Sequence, residues 1–493
     1  MKKELLEKIE QPKYLLPIII ILAAVLRIIF FNGHVFSDDS YYAHLAHSYS
    51  EGNFGSDFLG YPIHLVRKLM IFFTMFSFMI FGEGELATVF FPFLFSLLSI
   101  IIIYFIAYEL TGNKKVSLFS SFVLAVLPTD IIFASINFAD LIAAFLINFG
   151  IYYVIKFIKT SEMKYAYFAG LYFAISIFAK MSFYYIGILI LILAFLYLKK
   201  NKKISIGLIL SAVIPLLLLV IEGIIIGAKT GNYFYRFQIL EANYQSTYYN
   251  FFPYTVLGDS YTNLEYFWGL LKQIFVENIK NLFLRRFYLL IPLFALIGSF
   301  LFIKQKRNSG LVFWFLGLTL LMIGFTTSPT SYKPLDFKMS WYAYPLFFPA
   351  IIIFSETVIS YTKKYLPVII ILLFTGSMYM STEYQNFFDI EEKNKFKDFI
   401  HRMDDEFVFT DHHTKYAVDL IRGYDERVVV SSLSNKPTLL SELPKYSLVI
   451  FNEGVVNELQ LQGYSLPNFE LLKTEQFKMI EKYSDFEVYR KTE

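Results

Sequence analysis

The sequence lacks cysteine altogether and is poor in charge: of its 493 residues, only 17% are Asp, Glu, Lys or Arg. Without cysteine the chain forms no disulfide, thiol nucleophile or cysteine metal site. Soluble domains carry about 25% charged residues, so the low charge excludes an ordinary soluble enzyme and a disordered chain. The 44 basic and 41 acidic residues nearly cancel, which gives no reason to expect a nucleic-acid partner.

The chain is instead rich in apolar sequence, with 56% hydrophobic and 19% aromatic residues. A helix needs about 20 apolar residues to cross a bilayer, and several runs approach that length. We therefore predict a polytopic α-helical membrane protein with about eleven spans. The predicted spans are residues 14–31, 86–110, 116–136, 138–158, 165–181, 183–198, 204–227, 287–303, 311–327, 341–360 and 366–381.

One shorter apolar run, Leu69 to Phe81, decides the orientation of the other spans. As a helix it would measure about 20 Å against a hydrocarbon core of about 30 Å, so we interpret it as lying along the membrane surface. With this run left out, short basic loops such as Lys114–Lys115 and Lys363–Lys364 fall on the side of the N-terminus, as the positive-inside rule requires. The prediction is an N-terminus inside and a C-terminus outside.

The tail after residue 382 is more charged and alternates strand-like with helix-like segments. Apolar runs at 406–410, 427–432 and 446–452 are typical of buried strands, and segments near 391–404, 412–422 and 453–462 are typical of helices. We therefore predict two domains: a transmembrane domain over 1–381 and a small external α/β domain over 382–493.

Two pairs of acids lie on the predicted outer face. Asp38 and Asp39 open a predicted helix soon after the first span, and Asp130 and Asp140 flank the turn between the third and fourth spans. Acids at helix N-termini often only complement the helix dipole. A carboxylate at the edge of the hydrocarbon is costly unless it is paired or used, however. The shared face of both pairs favours a functional interpretation.

Basic residues gather on the same predicted face, where Lys180 ends the fifth span and Lys338 precedes the tenth. Lysines at span ends usually extend to the headgroups, and we attribute Arg27 in the first span to the same behaviour. Lys180 and Lys338 lie on the side that the positive-inside rule disfavours, so together they suit a lipid phosphate. His44 and His47 lack a third ligand for zinc, and we interpret them as polar surface residues near the cleft.

These segments resemble the GT-C superfamily of polyprenyl-phosphate-sugar glycosyltransferases, most of all its branch of protein O-mannosyltransferases and lipid A aminoarabinose transferases. The resemblance covers about residues 14–360. Residues 38–43 are similar to the family's acidic motif, and residues 61–86 are similar to its surface helix with the glycine-rich turn. Asp140 falls where the family has its second acid. Residues 170–180 are similar to its span ending in lysine, and residues 338–349 are similar to its late Lys-x-x-x-Tyr…Pro segment. The chain departs from the pattern with Asp39 where Glu is common and with no arginine just before Asp140.

The resemblance implies an inverting hexosyl or pentosyl transfer at the outer face, from a dolichyl or undecaprenyl phosphate to a protein, glycolipid or cell-wall glycan. A lipid phosphate leaves without protonation, so the acceptor needs a general base and the phosphate needs cations. Asp38 holds the leading acid position and is predicted as the base, with Asp39 as its alternate. Asp140 would orient the acceptor or a cation.

For the donor phosphate, the resemblance implies that Lys180 and Lys338 bind it and that Tyr342 donates a hydrogen bond to it. No cofactor is predicted, and the sequence neither indicates nor excludes a divalent metal. The expected location is the plasma membrane, with the active site and C-terminal domain on the extracytoplasmic side. The alternative is a transporter or lipid flippase, which would place charged groups near the bilayer midplane or use broken, repeated helices.

Overall fold

The computed structural model describes residues 12–54, 59, 63–181, 183–242, 263–324, 335–403, 407–425, 427–434, 439–461 and 464–492. Two compact units make up the chain. The first, the membrane unit, contains Met1–Phe31, Pro92–Glu241 and Asp259–Tyr384. The second, the loop–tail unit, contains Asn32–Phe91, Ala242–Gly258 and Gln385–Glu493. The tail thus shares its unit with the segment that follows the first predicted span.

Helices dominate the chain up to the tail, because long apolar runs satisfy their backbone hydrogen bonds internally only as helices. Up to residue 230 they are α1 (Pro12–Ile29), α2 (Asp38–Ser50), α3 (Ile63–Val66), α4 (Lys68–Phe81), α5 (Glu85–Thr111), α6 (Lys114–Ala125), α7 (Pro128–Phe133), α8 (Ala139–Thr160), α9 (Met163–Ala179), α10 (Phe183–Leu198) and α11 (Lys202–Thr230). After the residues around 243–262, which lie outside the described ranges, follow α12 (Asn263–Lys272), α13 (Asn278–Leu284), α14 (Ile291–Lys304), α15 (Ser309–Gly324), α16 (Tyr344–Tyr361) and α17 (Leu366–Phe387).

The prediction of a polytopic helical membrane protein is confirmed. Among the described residues, five helical segments are long and apolar enough to cross a bilayer: Glu85–Thr111, Ala139–Thr160, Lys202–Thr230, Ser340–Tyr361 and Lys363–Phe387. Shorter apolar helices occupy other predicted spans, among them α9, α10, α14 and α15. The number of eleven spans and the inside position of the N-terminus stay predictions.

One predicted span, 116–136, is broken in two. Helix α6 ends at Ala125, and the short helix α7 begins at Pro128. Proline has no N–H to donate to a preceding turn, and it disfavours the helical conformation at the residue before it. Leu127 is accordingly extended, with ψ 116°. The break produces a separate, fully buried turn of helix, α7, which carries Asp130.

The tail is the small α/β fold that its sequence predicts. Helices α18 (Ile390–Arg402), α19 (His412–Ile421), α20 (Leu439–Glu442) and α21 (Glu453–Leu461) accompany strands β1 (Phe407–Thr410), β2 (Val429–Ser432), β3 (Leu448–Asn452), β4 (Phe477–Tyr483) and β5 (Phe486–Lys491). The described strands form one sheet in the order β2-β1-β3-β5-β4. β1 is parallel to β2 and β3, whereas β5 is antiparallel to β3 and β4. All six predicted tail elements are present, but the hairpin β4–β5 was not predicted.

Candidate active site

Asp39, in the first turn of α2, is fully buried and bonded to its own loop. Its carboxylate accepts hydrogen bonds from the backbone N–H groups of Val35 at 2.6 Å, Ser37 at 2.6 Å and Ser40 at 3.1 Å. The Nδ1 atom of His34 lies 3.0 Å from Oδ2. Burial alone would raise the pKa of Asp39, but His34 and the amides outweigh it and lower that pKa to about 2. Asp39 therefore holds the loop as a carboxylate.

Asp38, the neighbouring acid, has a different environment. Its side chain is 42% exposed, with Oδ1 3.4 Å from Nε2 of His64 and Oδ2 3.4 Å from Nη1 of Arg67. Arg67 also donates to the hydroxyl of Tyr42. Burial lowers the pKa of His64 despite the opposing charge of Asp38, so this histidine is neutral at neutral pH. Of the first pair of acids, Asp38 is the one that solvent or a substrate can reach.

Within the membrane unit, Asp130 and Arg27 form a buried ion pair. Asp130 also accepts a hydrogen bond from Ser96. Arg27 donates to Ser96 Oγ at 2.6 Å, to the Ala23 carbonyl at 2.9 Å and to the Ala125 carbonyl at 3.1 Å. The interpretation of Arg27 as a residue that extends to the headgroups is therefore wrong. An apolar bundle makes a buried charge so costly that the guanidinium is satisfied inside the protein instead.

Asp140 and Lys180 form a second ion pair in the membrane unit, and both side chains are mostly buried with a small exposed fraction. Asp140 lies in the first turn of α8, and Lys180 directly follows the last residue of α9 as its C-cap. Their side chains are paired and are 10% and 13% exposed. The Lys180 ammonium lies 4.5 Å from the centroid of the Tyr342 ring. Three predicted site residues from distant parts of the sequence thus meet at one place.

Lys338, the fourth predicted residue of the membrane unit, has an exposed side chain. Its backbone N–H donates to Oδ1 of Asp336 at 2.8 Å, and its carbonyl accepts from Arg285. Arg285 also donates to the carbonyl of Phe337 at 3.0 Å. The sequence suggested no role for Arg285 in the site. With the predicted spans, Arg285 falls on the outer side, where the positive-inside rule disfavours a basic residue, and this departure was the available signal.

His44 and His47 are packed against the tail, so their interpretation as polar surface residues is wrong. The His44 ring stacks on Tyr416 of α19 at 3.6 Å, and burial lowers the pKa of His44 to about 3. The His47 ring stacks on Tyr424 at 3.8 Å, and its Nδ1 lies 2.7 Å from Glu83. These contacts join residues far apart in the chain, so no local pattern could have indicated them. Across the described ranges, no group of three or more His, Asp or Glu could hold a metal ion.

Comparison with known families gives one match. Residues 69–222 match the family model for dolichyl-phosphate-mannose-protein mannosyltransferases, a stretch that includes Asp140 and Lys180. No curated protein sequence matches the chain.

Solved structures share the fold at low sequence identity. ArnT from Cupriavidus metallidurans bound to undecaprenyl phosphate aligns over 96% of this chain and 97% of its own, with a TM-score of 0.59 and 10% identity. The apo oligosaccharyltransferase of Archaeoglobus fulgidus aligns over 92% of this chain and 71% of its own, with a TM-score of 0.54 and 13% identity.

The structure of the Archaeoglobus fulgidus oligosaccharyltransferase in complex with Zn and sulfate aligns over 84% of this chain and 62% of its own, with a TM-score of 0.51 and 14% identity. This chain therefore covers less than two thirds of the length of that protein. At such identities the structures show a common fold, and the activity of the whole relatives does not transfer with it. The family match and the shared fold together confirm the resemblance to the GT-C superfamily, in its branch of protein mannosyltransferases and ArnT.

Proposed function

We propose that this chain is a membrane glycosyltransferase that moves a sugar from a dolichyl or undecaprenyl phosphate to an acceptor. The matching family is described by its dolichyl-phosphate-mannose donor, and the similar ArnT structure is bound to undecaprenyl phosphate. The observation that carries the proposal is the meeting of Asp140, Lys180 and Tyr342. A cation at the margin of a membrane unit, held in place by a carboxylate and a ring, suits an anionic lipid headgroup.

In this proposal, Asp140 positions the Lys180 ammonium for the donor phosphate. A lysine ammonium has three N–H donors, so one bond to a carboxylate does not prevent it from binding a phosphate oxygen as well. The Tyr342 face stabilises the same cation as water is displaced, and its hydroxyl supplies a further donor. The exposed Lys338 adds a second positive charge as the phosphate leaves.

Asp38 is the proposed general base. The acceptor oxygen attacks the anomeric carbon, its proton passes to the Asp38 carboxylate, and the bond from that carbon to the phosphate oxygen breaks. The bonding electrons leave with the lipid phosphate, and the configuration of the sugar is inverted. The exposure of Asp38 supports this role over Asp39, because a base must reach the proton that it removes. His64 and Arg67 would fix the orientation of the carboxylate.

We further propose that the reaction occurs on the extracytoplasmic side of the plasma membrane. The distribution of basic loops supports this orientation. Epitope tags after residues 112, 201 and 305 should be protected in intact cells, whereas a tag in the tail after 382 should be accessible. An accessible tag after residue 112 would reverse the orientation and place the acids on the cytoplasmic side.

The activity is tested with the full-length protein in lipid nanodiscs and a panel of polyprenyl phosphates carrying mannose, glucose or aminoarabinose. Membrane proteins and glycolipids from the source cells serve as acceptors. We expect acceptor-dependent release of free polyprenyl phosphate from one donor, measured by mass spectrometry, and an inverted anomeric centre in the product, measured by NMR. A retained configuration would overturn the direct role of Asp38. Transport of the lipid-linked sugar without transfer would favour the transporter alternative.

A further inference from the structure

The segment that leads into the acidic helix α2 contains one strained residue, Phe36. Its φ is 57°, in the left-handed region that residues with side chains rarely adopt. Its ring is partly buried against the apolar core of the tail, with centroids 5.4 Å from Phe396 and 5.0 Å from Phe486. Such a conformation persists only where the surroundings over-determine it. Here the burial of an aromatic ring in the core of a separate part of the sequence is the compensating interaction.

Polar side chains of the tail hold the backbone on both sides of Phe36. The Lys393 ammonium donates to the carbonyl of Val35 at 3.0 Å, and the Lys397 ammonium donates to the carbonyl of Asn32 at 3.3 Å. The Nε2 atom of His413 lies 3.1 Å from the carbonyl oxygen of Ser37. Lys397 also forms an ion pair with Glu85. The tail therefore binds the carbonyls of this segment on either side of the anchored ring.

The N–H groups of the same backbone segment donate to the Asp39 carboxylate. The amides of Val35 and Ser37 point to its carboxylate, while the carbonyls of these two residues point to Lys393 and His413. Apart from the Ser37 carbonyl, which also accepts from an amide of α2, these backbone groups are satisfied by side chains rather than by regular secondary structure. Side chains of the tail therefore contribute to fixing the conformation of the segment.

From these contacts we infer that the tail positions Asp38, and that Phe36 anchors the segment before α2 to the tail. Removal of the anchor releases residues 34–38 and lets Asp38 move, although Asp38 itself is unchanged. The catalytic part of the inference rests on the proposed function, in which Asp38 is the base. The anchoring part rests only on the geometry of the loop–tail unit.

The test compares Phe36→Ala with Phe399→Ala in the full-length protein in nanodiscs. Phe399 is a matched control, because it is also a partly buried phenylalanine packed on the same core and stacks on Phe396. Hydrogen–deuterium exchange reports the amides of Val35, Ser37 and Ser40, and kinetics with the donor report kcat and KM separately. Phe36→Leu, which keeps an apolar side chain, serves as the conservative variant and as the fallback if Phe36→Ala does not fold.

We expect Phe36→Ala to speed exchange at these amides and to lower kcat on the order of 10²-fold, because small displacements of a catalytic group have effects of that size. The donor KM should stay within about twofold, since Lys180 and Tyr342 are unchanged. Phe36→Leu should recover part of the protection and of kcat. Phe399→Ala should lower the melting temperature to a similar extent with neither change.

Equal exchange in the Phe36 and Phe399 variants would overturn the anchor, whatever the activity. Faster exchange with unchanged kcat would overturn the catalytic part of the inference. The Asp38→Asn variant then identifies which assumption failed: if it is inactive, the proposed base stands and the positioning role falls, whereas if it is active, the proposed base falls as well.

Discussion

The two pairs of acids are similar in how they are buried but differ in their partners. In each, one acid is buried and fully engaged, Asp39 in the first site and Asp130 in the second, while the other acid lies nearer the surface beside a cation. Asp39 is satisfied mostly by amides of its own loop, whereas Asp130 is satisfied by Arg27 from another helix. A carboxylate next to an irregular segment can accept from the amides of that segment, but a carboxylate inside a helix bundle is surrounded by amides that are already bonded and needs a side-chain cation.

In each pair, one acid is held by contacts that stabilise the fold, and the other is the acid that we propose takes part in the reaction. Asp38 and Asp140 should matter for turnover, and Asp39 and Asp130 should matter for folding. Substitutions of these acids and of their partners should therefore differ in whether turnover or stability falls, and in the size of the loss.

The largest expected effect is on turnover in Asp38→Asn. The amide keeps the size of the side chain near the start of α2 but cannot accept the acceptor's proton, so single-turnover transfer should fall roughly 10²–10⁴-fold. The melting temperature should stay close to that of the unchanged protein, because an exposed acid near a helix N-terminus contributes only about 0.3–1 kcal/mol. Normal turnover in both Asp38→Asn and Asp39→Asn would refute the carboxylate mechanism.

The second effect is on stability in Arg27→Ala. This substitution leaves the Asp130 carboxylate buried without its cation, which should cost about 3–5 kcal/mol and lower the melting temperature in nanodiscs. Replacing both partners, as in Arg27→Leu with Asp130→Leu, should restore much of that loss, since no buried charge remains. A double variant as unstable as the single one would show that the charge pair is not the reason for the loss.

The third effect distinguishes Lys180 from Lys338. If Lys180 contacts the donor phosphate, Lys180→Ala should lower kcat/KM for the donor about 10²–10³-fold, the usual effect of losing one preorganised electrostatic contact. Lys338→Ala should cost less, because its exposed side chain is screened by solvent. Full activity of Lys180→Ala in steady-state assays would show that the ion pair of Lys180 with Asp140 has only a structural role.

The smallest effect concerns Asp39 and depends on pH. Its pKa of about 2 lies below the ordinary value of 3.8, so its stabilisation is complete above pH 4 and is lost as pH falls through about 2. Asp39→Asn should therefore reduce stability at pH 7 by roughly 2 kcal/mol. Thermal unfolding at pH 7 and at pH 2–3 measures this effect, and the difference from the unchanged protein should shrink on acidification. A difference independent of pH would assign the loss to packing rather than to charge.

In the tail, local sequence patterns predict most of the helices and strands, but not all of them. Three strands and three helices are predictable, because each is a compact apolar or amphipathic run between turn residues. The hairpin β4–β5 was missed because neither FKMIEKY nor FEVYRK alternates strictly between apolar and polar residues. A shift of register between Met479 and Glu481 interrupts the period of two in β4, and the apolar Met479 is exposed. Neither the period nor the apolar content of these strands therefore reveals the hairpin.

Apolar length and periodicity are local properties, so the amino-acid sequence alone predicts a helical membrane protein with an α/β tail. The candidate acids and lysines follow from their positions at the ends of apolar runs and from the family resemblance. The three-dimensional structure was needed to show which acid of each pair is buried, that Arg27 turns inward, and that Phe36 packs against the core of the tail. Burial and partnership depend on residues brought together from distant parts of the chain, and no local pattern records them.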